Sequence, residues 1–225
     1  MTAAAARPRR IALYGGSFDP IHAGHLAVAR AAQRRFHLDE IHFIVAGRPP
    51  HKLKRSAAPF PHRFAMTALA CSGHARFIPS LAEAGKDFSG HRVHYSLDTV
   101  RRFRRGLAHS SDRLFFILGV DSFLELPTWR SFEALLVACD FIVASRPGNR
   151  MDALRSVIPP HLLQRSATES ARVIHLRKSV VYLLDTVSSP VSSREIRRRC
   201  RHGLSIRGLV PLHVEEYILS QGLYR

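Results

Sequence analysis

The residues best placed to do chemistry lie near the start of the chain, where the apolar run Ile11–Tyr14 passes into Gly15-Gly16-Ser17-Phe18-Asp19-Pro20-Ile21-His22-Ala23-Gly24-His25-Leu26. Two glycines at a strand end let the backbone turn sharply and bring its N–H groups close to a ligand, with no Cβ in the way. Gly24 allows a close approach where a helix begins, and the free N–H groups and positive dipole end of that helix favour an anion. His22 and His25 are three residues apart and share one helix face. Two imidazoles aimed at one point beside a phosphate cradle can donate hydrogen bonds to charge developing on a phosphoryl group. The segment is neither a Walker loop nor the Gly-x-Gly-x-x-Gly dinucleotide fingerprint, because the Lys-Ser/Thr pair and the third glycine spacing are absent.

The elements that must position this loop follow from hydrophobic periodicity. Short apolar, partly β-branched runs alternate with helix-period segments, the pattern of βαβ units. Strands are predicted at Ile11–Tyr14, Ile41–Val45, Arg76–Pro79, Leu114–Leu118, Phe141–Ala144, Val173–Leu176 and Val181–Leu184. Helices are predicted at Ala23–Phe36, Pro61–Cys71, Ser96–Arg105, Phe132–Ala138 and Met151–Leu163. Two further helices, Ser193–His202 and Pro211–Gln221, have no strand between them and should cap the sheet. The expected fold is therefore α/β, a Rossmann-like doubly wound, mainly parallel sheet with helices on both faces and a C-terminal helical cap. Residues 1–10 read as a flexible tail and 11–225 as a single domain. In such open sheets ligands bind at the strands' carboxyl ends, in the crevice where strand order reverses. The loops Gly47–Pro59 and Gly85–His91 flank that edge.

Composition narrows the partners. With 46% hydrophobic and 23% charged residues over 225 positions the chain is an ordinary globular protein, long enough to bury a real core. The charge is unusual: 34 Lys and Arg against 17 Asp and Glu give a formal net charge of +17, and all but four of the basic residues are arginines. Nucleic acid, an acidic membrane surface or a polyanionic small substrate come first with such a balance. No run approaches the roughly 20 apolar residues that span a bilayer, and the N-terminus lacks a signal-peptide stretch, so the expected compartment is the cytoplasm. Cys71, Cys139 and Cys200 are widely spaced and never form Cys-x-x-Cys, which argues for reduced thiols and against a disulfide framework or a thiolate zinc site.

A second candidate anion site is Val191-Ser192-Ser193-Arg194-Glu195-Ile196-Arg197. Ser192 and Glu195 are spaced as a capping box, which leaves helix-start N–H groups and the Ser193 hydroxyl facing an anion, with Arg197 one turn on. A merely well-capped helix is the plainer reading of the same residues.

The first loop resembles the Gly-Gly-x-Phe-Asp-Pro-x-His-x-Gly-His-Leu opening of adenylyltransferase-type nucleotidyltransferases, and specifically of bacterial nicotinate-nucleotide adenylyltransferases. The resemblance runs along nearly the whole chain: Pro49-Pro50-His51-Lys52, Arg63-Phe64-Ala65-Met66, Phe116-Ile117-Leu118-Gly119-Val120-Asp121-Ser122 with Trp129, Ala144-Ser145-Arg146-Pro147-Gly148, Val191–Arg197, Tyr217-Ile218 and Gly222-Leu223-Tyr224.

This resemblance implies that the 5′-phosphate of nicotinate mononucleotide attacks the α-phosphorus of ATP, releasing pyrophosphate and forming nicotinate adenine dinucleotide. Such a transfer needs positioning and charge neutralisation rather than a nucleophilic side chain. His25 and His22 are the expected catalytic donors. Gly15, Gly16, Ser17, Phe18, Gly119, Asp121, Arg146, Ser192, Ser193 and Arg197 are expected, with the two histidines, to bind ATP. Lys52, Arg63, Tyr95, Ser96, Thr99 and Trp129 are expected to bind the mononucleotide, Trp129 by stacking on the pyridine. Mg²⁺ would enter on the ATP phosphates, with no dedicated protein metal site. The chain departs from the family at Arg194, where Thr is usual, and in His94-Tyr95-Ser96-Leu97-Asp98-Thr99-Val100, where Ser-Tyr-Thr is usual. Helix-start N–H groups favour a carboxylate over a neutral amide, so the acid is the expected acceptor.

Two other readings compete. A sister transferase acting on nicotinamide mononucleotide or phosphopantetheine would share most of these motifs. A nucleic-acid-binding protein would use Arg101-Arg102-Phe103-Arg104-Arg105 and Arg197-Arg198-Arg199-Cys200-Arg201, but no helix-turn-helix, RNP or zinc pattern directs it. Oligomeric state is not encoded in any of these features.

Overall fold

The computed structural model describes residues 7–47, 58–85, 93–145, 151–164, 170–185 and 190–225. Seven apolar runs pair into one sheet: β1 (Arg10–Gly16), β2 (Glu40–Val45), β3 (Phe77–Ser80), β4 (Arg113–Gly119), β5 (Asp140–Ala144), β6 (Val173–His175) and β7 (Val180–Leu184). Their order is β3-β2-β1-β4-β5-β7-β6. All pairings are parallel except β6 with β7. That exception is forced by chain length, since the few residues between His175 and Val180 permit a hairpin and no crossover. The order reverses between β1 and β4, so the crevice expected for ligands opens at the carboxyl end of β1.

Period-two alternation assigns the strand residues to two cores. Ala12, Tyr14, Ile41, Phe43, Val45, Phe115 and Ile117 point to one face. There they meet α1 (Ala23–Phe36), α2 (Phe60–Cys71), α7 (Ser193–Arg201) and α8 (Leu212–Ser220). Ile11, Leu13, Ile44, Phe116, Leu118, Phe141 and Val143 point to the other, against α3 (Ser96–Arg105), α4 (Val120–Leu124), α5 (Phe132–Leu136) and α6 (Met151–Ser156). The helical cap is real: Ile196, Val214 and Ile218 are buried in the first core, and the Tyr217 hydroxyl on α8 meets His62 Nδ1 on α2 at 2.9 Å.

Three expectations change. The helix predicted over Met151–Leu163 stops at Ser156, with a separate 3-10 turn at Pro160–Leu162; Pro159 and Pro160 cannot continue an α-helix. The five-residue α4 and the 3-10 turn Leu126–Thr128 were not predicted. Residues 7–10 are not a loose tail: Arg9 N–H donates to Asp112 Oδ1 at 2.8 Å, Arg10 N–H donates to Asp39 Oδ2 at 2.9 Å, and Arg10 opens β1. No helix among the described residues is long and apolar enough to cross a membrane.

Candidate active site

The carboxyl end of β1 divides the site into two halves. On the face carrying Leu118 and Leu135 lies a cavity of about 270 Å³, walled by Gly15, Gly16, Ser17, Tyr95, Ser96, Thr99, Phe116 and Trp129. On the opposite face, Tyr14 and Phe18 pack edge-on against His25, with ring centroids 6.1 and 5.1 Å away. The histidine pair thus lies on one side of the strand end and Tyr95, Ser96, Thr99 and Trp129 on the other, with Gly15–Ser17 bordering the cavity.

The two glycines are needed for packing as well as for backbone approach. A Cβ on Gly16 would come within 2.9 Å of the Phe18 ring, and one on Gly15 within 3.1 Å of the Phe116 ring. Phe18 has a left-handed backbone (φ 45°) and is 1% exposed. Its side chain belongs to the core, which corrects its expected place among the ATP contacts: the ring supports His25 from behind.

His22 is the N-cap of α1 and His25 its third residue; their rings stack 3.7 Å apart. His25 Nδ1 accepts the His22 backbone N–H at 3.2 Å, so the neutral ring carries its proton on Nε2 and presents a donor there. Burial pulls the His22 pKa from its ordinary value down to about 4. Burial, followed by the charge His22 would carry, holds His25 well below its ordinary range. Both imidazoles are neutral near pH 7, and two neutral rings can stack where two imidazolium ions would repel. His22 Nδ1 is buried and has no hydrogen-bond partner among the described residues.

The Asp19-Pro20 turn just before the pair is gripped from three directions. Asp19 Oδ1 accepts the Ala58 N–H at 3.1 Å and the Tyr224 hydroxyl at 2.8 Å. Arg197 donates to the Asp19 carbonyl and lies 3.5 Å from its Oδ2. Ser193 Oγ donates to the Pro20 carbonyl at 2.9 Å. Ser193 and Arg197, expected to face an anion, therefore hold the loop that carries the histidines. Ser192 Oγ accepts the Glu195 N–H at 3.2 Å as the N-cap of α7. The capping box is only half formed, since the Glu195 carboxylate pairs with Arg198 and Arg199 instead.

Arg63 requires a larger correction. It is 3% exposed, and its guanidinium donates to four carbonyls: Ala58 at 2.9 Å, Ser17 at 2.9 Å, Ala46 at 2.7 Å and Gly47 at 2.9 Å. A buried cation so enclosed ties the ends of β1 and β2 together and is not presented to a phosphate. Gly119 and Asp121 are exposed at the end of β4 and the start of α4, outside the cavity wall. Lys52 and Arg146 lie outside the described residues.

In the cavity half, Thr99 lines the wall but its hydroxyl donates to Glu83 Oε1 at 3.0 Å. Glu83 also accepts the Gly47 N–H, and burial raises its pKa against these donors. Glu83, Ser122, Glu125, Thr128 and Arg130 line this cavity without having been predicted. Two of them carried a sequence signal: Ser122 closes the Phe116–Ser122 motif and Arg130 neighbours the sole tryptophan. Tyr95 is the N-cap of α3 with no side-chain cap, so the first-turn N–H groups of that helix open beside the cavity.

Among the described residues no group of three or more His, Cys, Asp or Glu is arranged to hold a metal ion.

Comparison with known proteins identifies the family. The cytidylyltransferase-like family matches residues 13–199. A probable nicotinate-nucleotide adenylyltransferase of Moorella thermoacetica is 39% identical over 223 residues, covering 97% of this chain and 93% of the relative. One of Geobacter sulfurreducens is 37% identical, covering 94% and 96%. Among solved structures, the Plasmodium falciparum nicotinic acid mononucleotide adenylyltransferase complexed with NaAD superposes with a TM-score of 0.72 at 19% identity, covering 96% and 97%. At that identity the last likeness speaks for the fold alone.

Proposed function

Because this chain belongs to the cytidylyltransferase-like family and, within it, to the nicotinate-nucleotide adenylyltransferases, we propose that its two half-sites hold the two substrates of one adenylyl transfer. The enzyme joins ATP and nicotinate mononucleotide into nicotinate adenine dinucleotide and pyrophosphate. The observation that carries the division of labour is the placement of the histidine pair and the pyridine-side cavity on opposite faces of the same strand end.

In this reading the cavity takes the nicotinate ring against Trp129, and the helix start of α3 faces its carboxylate. The triphosphate lies over the start of α1. The mononucleotide phosphate oxygen forms a bond to the α-phosphorus as the bond to the pyrophosphate oxygen breaks. Negative charge grows on the non-bridging oxygens, and the Nε2–H of His25 is the donor aimed at it, with His22 behind. A neutral donor suits this role, because it neither loses its proton to the phosphate nor titrates near pH 7. Mg²⁺ bound with the nucleotide would supply charge neutralisation, while the protein's own residues bind and orient.

A pyrophosphate-release assay with ATP and either nicotinate mononucleotide, nicotinamide mononucleotide or phosphopantetheine tests the reading. Turnover is expected with the first, and His25→Ala should lower it by roughly a hundredfold. Wild-type turnover in that variant would remove His25 from the mechanism. Exclusive use of phosphopantetheine would remove the acceptor assignment.

A further inference from the structure

Arg130 is the single Lys or Arg among the described residues that wall the pyridine-side cavity. Its guanidinium carbon sits 4.5 Å over the Tyr95 ring centroid, and it has no carboxylate within ion-pair distance among the described residues. The stacking is informative because it occupies the flat face of the guanidinium. The in-plane N–H groups stay available, and their fork geometry matches a carboxylate at two points. Tyr95, the ring that holds Arg130, is also the N-cap of α3, so the guanidinium and the free N–H groups of that helix start flank one residue.

The rest of the wall sharpens the point. Glu83 and Glu125 are the two acidic residues lining the same cavity. An anionic ring substituent would meet like charge there unless a cation stood opposite, and an uncharged carboxamide would not. We propose that Arg130 is a specificity-determining residue: it selects a pyridine bearing a carboxylate over the same pyridine bearing an amide. The proposal rests on the reading that this cavity holds the pyridine ring. It assigns the choice to one side chain rather than to the α3 helix start alone.

The test uses the full chain and compares kcat/KM for nicotinate and nicotinamide mononucleotides in the wild type, Arg130→Gln and Arg105→Gln. Arg105 is exposed in the last turn of α3, and its replacement removes the same charge without touching the cavity. Arg130→Gln should lower kcat/KM for the acid by roughly thirtyfold, chiefly through KM, and for the amide by less than about threefold, so that the preference collapses. Arg105→Gln should stay within about twofold of wild type with the acid. Quenching of Trp129, the only tryptophan, should report the same loss of acid binding without turnover. Equal losses with the two acceptors, or the same loss in Arg105→Gln, would overturn the proposal. A wild type that adenylylates neither mononucleotide would instead sink the assignment of the cavity to a pyridine, and this proposal with it.

Discussion

The Tyr224 hydroxyl donates a 2.8 Å hydrogen bond to Oδ1 of Asp19, joining two residues 205 positions apart in sequence. Asp19 lies in the turn that delivers His22 to the start of α1, and Arg197 reaches the same turn from α7. The helical cap is thereby part of the foundation of the loop that carries His22 and His25. Burial and the neighbouring Asp19 carboxylate push the Tyr224 pKa up out of the ordinary range, so the phenol remains a donor at every working pH.

Tyr224→Phe keeps the ring and deletes the donor. The carboxylate still has the Ala58 N–H and Arg197, so the expected stability cost is about 1.5 kcal/mol, the low end for a hydrogen bond to a charged group. The loop loses one of its anchors, and kcat should fall by roughly tenfold while KM for the mononucleotide changes little, since misplacement of donors acts on the transition state. Steady-state kinetics alongside urea unfolding separate the two effects. An unaltered kcat with lowered stability would make Tyr224 a packing residue only.

Much of this architecture was legible because buried parallel strands read as near-continuous apolar runs, and the seven predicted strands each fall on an observed one. The C-terminal cap was legible from the missing strand between its helices. The five-residue α4 was not: it follows β4 directly at Gly119, so no turn segment marks where the strand stops and the helix starts. In the site, the residue types were found but several partners were not. Arg63 reads in sequence as a ligand of the mononucleotide, and only the approach of Ser17, Ala46, Gly47 and Ala58 in space makes it a clamp. Glu83 follows β3 in no motif, and its partner Thr99 is brought to it by the fold.

The depressed histidines predict the pH response. His22 falls from an ordinary 6.5 to about 4 on folding, so between those values the unfolded chain binds the extra proton. Stability is then full above about pH 6.5 and is lost as pH falls toward 4. For His22 alone, moving from pH 7 to 5 should cost about 2 kcal/mol. Urea titrations at the two pH values measure this, and His22→Gln should shrink the difference, while the buried His25 keeps its own share. The histidine pair itself should add no step to turnover near pH 6.5, because it stays neutral well below that value; a step there belongs to the substrate phosphate, whose second pKa is about 6.

Arg63→Lys distinguishes a clamp from a phosphate ligand. Lysine preserves the charge but cannot reach four carbonyls at once, leaving buried acceptors without donors. The variant should lose about 3 kcal/mol of stability, with reduced kcat from loosening of the β1 and β2 ends. A phosphate ligand would behave otherwise: the protein would keep its stability, and the defect would lie in KM for the mononucleotide. Differential scanning fluorimetry with the kinetic constants decides between these patterns.

The glycines of the site should respond oppositely to the same substitution. At Gly16 a methyl group meets the Phe18 ring at 2.9 Å, and that ring in turn packs edge-on against His25. The core around Phe18 is closed by Tyr14 and Phe43, so the ring can yield only toward the histidine. Gly16→Ala should therefore destabilise by about 2 kcal/mol, within the range for overpacking, and lower kcat by tenfold or more through the displaced donor. At Gly119, also a strand-end glycine, nothing lies within 4 Å of an added Cβ, and the N-cap backbone is extended at φ −74°. Gly119→Ala should leave stability within about 0.5 kcal/mol. Equal damage in the two variants would mean that the glycines serve backbone approach to a ligand at both positions; damage confined to Gly16→Ala would place the constraint in the contact between Phe18 and His25.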